Sequence, residues 1–104
     1  MKLLQDFEGR AIRLTDERMA HILEHPEMRG LESAIEQTLK EPQKVIQSLS
    51  DLQARLHYRF YVGTQVGDKY LCVVVKLSGD DAFVLTAYLT DNIKRGVRIW
   101  PKSE

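Results

Sequence analysis

Apolar residues repeat with a helical period up to Pro42 and with a period of two beyond it. In the first part, Met19, Ile22 and Leu23 fall on one helical face, Thr15 is placed to cap it, and Asp16 and Glu17 put negative charge at the positive end of the helix dipole. Pro26 drives His25 out of helical geometry, so a first helix over 16–24 is predicted. After the turn at 27–30, Leu31, Ile35 and Leu39 lie four apart with Ala34 and Thr38 flanking them, and Pro42 ends this second helix. Residues 7–14 alternate only partly and read as a short strand or extended arm.

Beyond Pro42, Val45-Ile46 marks a short strand and 47–51 a polar turn. Residues 54–62 alternate cleanly, 63–68 reads as a longer hairpin loop, and 70–77 is rich in strand-forming residues. A second turn at 78–81 leads to a third clear strand over 82–89. Residues 90–96 read as a capped helical turn stopped by Gly96, and 97–100 as an edge strand. Short hairpins force antiparallel neighbours. The expected fold is therefore α+β, one domain over 1–104, with two N-terminal helices packed on one face of an antiparallel sheet of about four strands.

Composition narrows the setting. With one cysteine, Cys72, there is no intrachain disulfide, and an odd thiol suits a reducing compartment. The first residues lack a signal-like apolar core, and the longest apolar run, Leu71 to Val75, is too short to span a bilayer. A cytoplasmic protein with no membrane role is expected. Formal net charge is zero, yet residues 1–53 carry 7 basic and 10 acidic residues (−3) while 54–104 carry 8 and 5 (+3). The sheet half is the basic half.

Strand parity indicates which polar residues share a surface. Leu56, Tyr58, Phe60 and Val62 oppose Arg55, His57, Arg59 and Tyr61; Leu71, Val73, Val75 and Leu77 oppose Cys72, Val74 and Lys76; Phe83, Leu85, Ala87 and Leu89 oppose Val84, Thr86, Tyr88 and Thr90. With the apolar sets against the helices, the other face would gather Arg55, His57, Arg59, Tyr61, Lys76, Thr86, Tyr88 and Thr90. Such a patch offers cations for a phosphate, hydroxyls to orient it and rings for a base. His21 and His25 stand four apart and, with Glu24, match the H-x-x-E-H spacing of one zinc-peptidase class. Pro26 ends the helix at the second histidine and the chain is short for a peptidase cleft, so in place of metal ligands these imidazoles are either surface or helix-end histidines with no catalytic part or general acids and bases. Cys72, among apolar neighbours, reads as a small buried thiol.

Four segments in order, His21-Ile22-Leu23-Glu24-His25-Pro26-Glu27-Met28, Leu56-His57-Tyr58-Arg59, Tyr70 to Lys76 and Phe83 to Asp91, resemble the phage-associated nuclease-like proteins grouped with the barnase, EndoU, colicin and RelE folds, the BECR superfamily. The resemblance covers about residues 10–100. It implies endoribonuclease chemistry without metal or other cofactor, by 2′-hydroxyl attack in a cleft on the open sheet face, in a toxin or phage-derived effector. It places His21 or His25, Arg59, Lys76, Thr86 and Tyr88 at the catalytic positions; parity adds Arg55, His57, Tyr61 and Thr90 as RNA contacts. The implied partners are RNA and a neutralising antitoxin protein. The competing expectation is a non-catalytic RNA- or protein-binding module on the same fold.

Overall fold

The computed structural model, which describes residues 1–102, has two α-helices and seven strands. Strands β1 (Lys2–Gln5) and β2 (Ala11–Leu14) form an N-terminal hairpin whose turn needs a positive φ (+83°) at Gly9. Helix α1 (Asp16–Leu23) follows, capped by the Thr15 hydroxyl, which accepts from the Arg18 N–H. A 3-10 turn (Pro26–Met28) leads to α2 (Glu32–Lys40). Then come β3 (Lys44–Ser48), β4 (Ala54–Thr64), β5 (Gly67–Ser78), β6 (Asp81–Thr90) and β7 (Gly96–Trp100).

All seven join one sheet in the order β1-β2-β6-β5-β4-β3-β7. Every neighbouring pair is antiparallel except β2 and β6, which run parallel and share a single registered pair, Arg13 with Phe83. The expected four-stranded antiparallel sheet is thus corrected to a seven-stranded mixed one carrying only two helices. Strand β1 escapes the pattern because its two leucines are adjacent: Leu4 is buried and Leu3 points to water. The 63–68 loop is tighter than expected, with Thr64 pairing directly with Gly67. Residues 91–95 form no helical turn, since the chain there crosses the sheet instead.

The main core lies between the helices and one face of the sheet. Ile22, Met28, Ile35 and Leu39 pack there on Leu4, Ile12, Leu14, Leu71, Val73, Val75 and Val84. A second, smaller cluster occupies the opposite face, where Ile46, Leu56, Tyr58, Cys72 and Val74 meet Tyr70, Leu85, Tyr88 and Ile93. The first is the helix face of the sheet and the second its open face.

Candidate nucleic-acid interface

Register decides which side chains share a face, because directly opposed residues of antiparallel strands point the same way. Arg55, His57 and Arg59 of β4 oppose Val75, Val73 and Leu71, and Tyr61 opposes Lys69, so all four lie on the helix face. Their expected place beside Lys76, Thr86, Tyr88 and Thr90 is corrected: the sheet itself separates the two groups. Ala54, Leu56 and Tyr58 of β4 belong to the open-face cluster, and its polar residues find partners under α2 and the β1–β2 turn.

Those partners are specific. Arg55 reaches Glu8 at 3.2 Å, and Arg59 donates to the Glu41 carbonyl at 2.7 Å just past α2. The Tyr61 hydroxyl lies 3.1 Å from the Ala34 carbonyl and 3.1 Å from the Thr38 hydroxyl. His57 is 1% exposed, its Nδ1 is 3.3 Å from the Val73 carbonyl, and its ring meets Phe7 edge-on. Burial pulls its pKa down to about 4, so it is neutral at physiological pH. A hollow of about 430 Å³ opens beside Arg59, lined by Phe7, Lys40, Pro42 and Trp100.

His21 and His25 also lie on the helix side. His21 is on α1, exposed, with Nδ1 3.4 Å from Glu24. His25 is past the helix in extended geometry, 3.6 Å from Glu27. Pro26 therefore breaks the i,i+4 arrangement, and the H-x-x-E-H spacing makes no two-histidine site. Among the described residues, no group of three or more His, Cys, Asp and Glu side chains could hold a metal ion.

The open face carries the remaining sequence candidates. One row across the strands runs Lys44, Tyr58, Cys72, Tyr88; the next runs Arg98, Ile46, Leu56, Val74, Thr86; a third runs Phe60, Tyr70, Thr90. A bulge in β6 displaces Leu85, so upstream parity inverts, turning Val84 inward and setting Phe83 beside Lys76. Lys76, Thr86, Tyr88 and Thr90 thus share the face, as parity required.

Segment 91–95 bridges this surface. Ile93 anchors it in the small cluster, and the Lys94 N–H donates to the Tyr58 hydroxyl at 3.2 Å. The Asn92 N–H donates to the Thr90 hydroxyl at one end, and Lys69 pairs with Asp91 there. The segment holds Lys94 and Arg95 over the sheet, with the Lys94 ammonium 5.9 Å from the centre of the Tyr88 ring. On one side lies a groove of about 390 Å³ lined by Ser48, Asp51, Thr86, Tyr88, Lys94 and Arg95. On the other is a hollow of about 580 Å³ lined by Lys44, Ile46, Ile93, Lys94, Arg95 and Arg98. Lys94 and Arg95 line both, and Lys44 and Arg98 join them in the second.

Among the described residues, Lys44, Lys94 and Arg95 have no carboxylate partner. Lys76, by contrast, is paired with Asp51, and that hydrogen bond, helped by the Gln53 N–H, holds the Asp51 carboxyl below the usual range. Burial raises the Tyr58 and Tyr88 hydroxyls and pushes the Cys72 thiol up to about 11, so these three form a protonated floor and not a nucleophile. Sequence reasoning missed Asp51, Lys44, Lys94, Arg95 and Arg98 as site residues. The basic excess of the C-terminal half was their signal, since three of the four cations fall within it.

Comparison with family models, with curated proteins and with solved structures finds no match to this chain.

Proposed function

We propose that this chain is a small RNA-acting domain of the endoribonuclease-like kind, working on the open face of its sheet. One observation carries the reading: Lys94 and Arg95, free of acidic partners among the described residues, are pinned across a surface bearing the Thr86 and Tyr88 hydroxyls. Cations left without carboxylates cost solvation if they approach one another and contribute nothing to folding, whereas a polyanion laid between them gains from both. RNA, as opposed to another polyanion, rests on the resemblance of the four segments.

The groove also has the parts for 2′-hydroxyl attack. The Asp51 carboxylate would accept the 2′-hydroxyl proton as the 2′-oxygen bonds to phosphorus. Lys94 and Arg95 would offset the charge gathering on the phosphoryl oxygens, and the Tyr88 hydroxyl, which lines the same groove, would give a proton to the departing 5′-oxygen as its bond to phosphorus breaks. A carboxylate held ionised is a weak base, so most of the acceleration falls to the cations.

A second reading, RNA binding without turnover, is favoured by the histidines. His21, His25 and His57 all lie on the other side of the sheet from the groove. Incubation of the purified protein with labelled RNA in EDTA separates the two. Fragments ending in 2′,3′-cyclic phosphate, lost in Asp51→Asn, establish cleavage; salt-dependent binding with intact RNA establishes the binding module. If the protein neither cleaves nor retains any RNA at low salt, the proposal falls.

A further inference from the structure

We infer that Phe60 and Tyr70 form a base-stacking platform at the end of the cationic surface, so that the open face takes single-stranded RNA with unpaired bases in preference to duplex. This rests on the RNA reading above and adds what the cations cannot supply, since phosphate contacts do not read the bases.

Phe60 is 42% exposed and sits opposite Tyr70 in the outermost row of the face. Their rings are 5.0 Å apart at 70°, and Tyr70 in turn meets Tyr58 at 6.3 Å and 89°. A tilted aromatic contact of this kind fixes the Phe60 ring, while its 42% exposure leaves ring surface open to a ligand. Its backbone is held as well, because the Phe60 N–H donates to the Gln43 side chain at 2.8 Å. The ring is thus pre-set, and a base can stack on it without first ordering a side chain.

Charge continues up to this point. Lys44 opposes Tyr58, one residue pair from Phe60 on the same face, which places the two at the ~7–8 Å of diagonal cross-strand neighbours. A phosphate held by Lys44 therefore leaves its own or the adjoining base within reach of the ring. Val62, 77% exposed, continues the apolar strip on the same side of β4. In an A-form duplex the base faces are stacked on one another and inaccessible, so the platform contributes only when the strand is open.

The test measures fluorescence anisotropy with 2′-O-methyl oligonucleotides, which resist 2′-hydroxyl attack, in three forms: single-stranded, duplex and abasic. Phe60→Ala should weaken single-strand binding by about 10-fold or more, leave duplex and abasic affinities and the salt slope unchanged, and be rescued by Phe60→Trp. Phe60→Leu, which keeps apolar volume, should behave as Phe60→Ala. The platform is overturned if wild type binds the abasic oligomer as tightly as the single strand, or if Phe60→Ala and Phe60→Leu bind single strands like wild type. A change in sedimentation on Phe60→Ala with RNA affinity intact would assign the ring to a protein contact and overturn it equally. Absence of RNA binding by wild type would remove the parent reading too, while loss on Lys94→Ala/Arg95→Ala with no loss on Phe60→Ala would remove the platform alone.

Discussion

Strand β4 shows water-loving residues on one side and rings and aliphatics on the other, yet the polar side is the one that faces α2 and the β1–β2 turn. Arg55, His57, Arg59 and Tyr61 each have a partner on another element, and their chemistry is used in holding the layers together. On the open face Lys44, Lys94 and Arg95 lack acidic partners among the described residues. Two sets of polar residues of similar composition thus differ in whether folding already uses them. A cation whose charge is matched within the fold explains itself; one whose charge is left over asks for a ligand.

The largest effect expected from this contrast is a pH dependence of stability. His57 titrates near 4 in the folded chain and near ~6.5 unfolded, so between these values the unfolded state binds more protons and stability rises with pH. On acidification from about pH 7.5 to about pH 4, urea unfolding should show a loss on the order of 3 kcal/mol that His57→Gln lacks. Equal losses in both proteins would mean that His57 is not the buried neutral group described.

Next in size is the open face. Lys94→Ala/Arg95→Ala should weaken RNA binding by about 10-fold or more at low salt and flatten the dependence of log K on log salt by about 1 to 2. Folding stability should stay within roughly 0.5 kcal/mol of wild type, as for other surface sites. A stability loss of several times that amount would show these residues to be structural after all, and would erase the contrast.

The smallest effect belongs to Arg59. Removing its hydrogen bond to the Glu41 carbonyl should cost about 1 kcal/mol or less in thermal or urea unfolding. RNA binding by Arg59→Ala should equal that of wild type. A selective loss of RNA affinity would place a nucleic-acid contact on the helix face and reverse the roles of the two surfaces.

Much of the fold is legible in the chain. The Thr15 cap and Pro26 that bound α1, the Pro42 that stops α2, the alternation of β4 and the β-rich stretches of β5 and β6 each follow from local chemistry, as does the edge strand β7. What local chemistry does not carry is which face of a strand the helices cover. Two short helices cannot cover seven strands, so the Leu56 and Tyr58 side of β4 is closed instead by Ile93, from a segment whose Thr90 and Gly96 suggested a helical turn. The Leu85 bulge adds a parity change that a period of two cannot anticipate. Of the candidate site, Lys76, Thr86, Tyr88 and Thr90 were readable because they lie on strands paired through short turns. Lys94 and Arg95 were not, since their position depends on where Ile93 lands.

The seam between β2 and β6 has a consequence for how the molecule opens. One registered residue pair joins the N-terminal hairpin to the rest of the sheet, supported at the rim by the Arg13–Asp81 ion pair and by Arg13 over the Phe83 ring. Beyond that seam the hairpin is held by the apolar packing of Leu4, Ile12 and Leu14 and, at its turn, by the Glu8–Arg55 ion pair and the Phe7 ring against His57 and Trp100, none of which has the cooperativity of a ladder. With so short a ladder at the seam, the hairpin is expected to open before β4, β5 and β6 unzip. Amide protons of residues 2–14 should exchange with solvent well before those of 70–76, and the hairpin should be the first part that a protease finds.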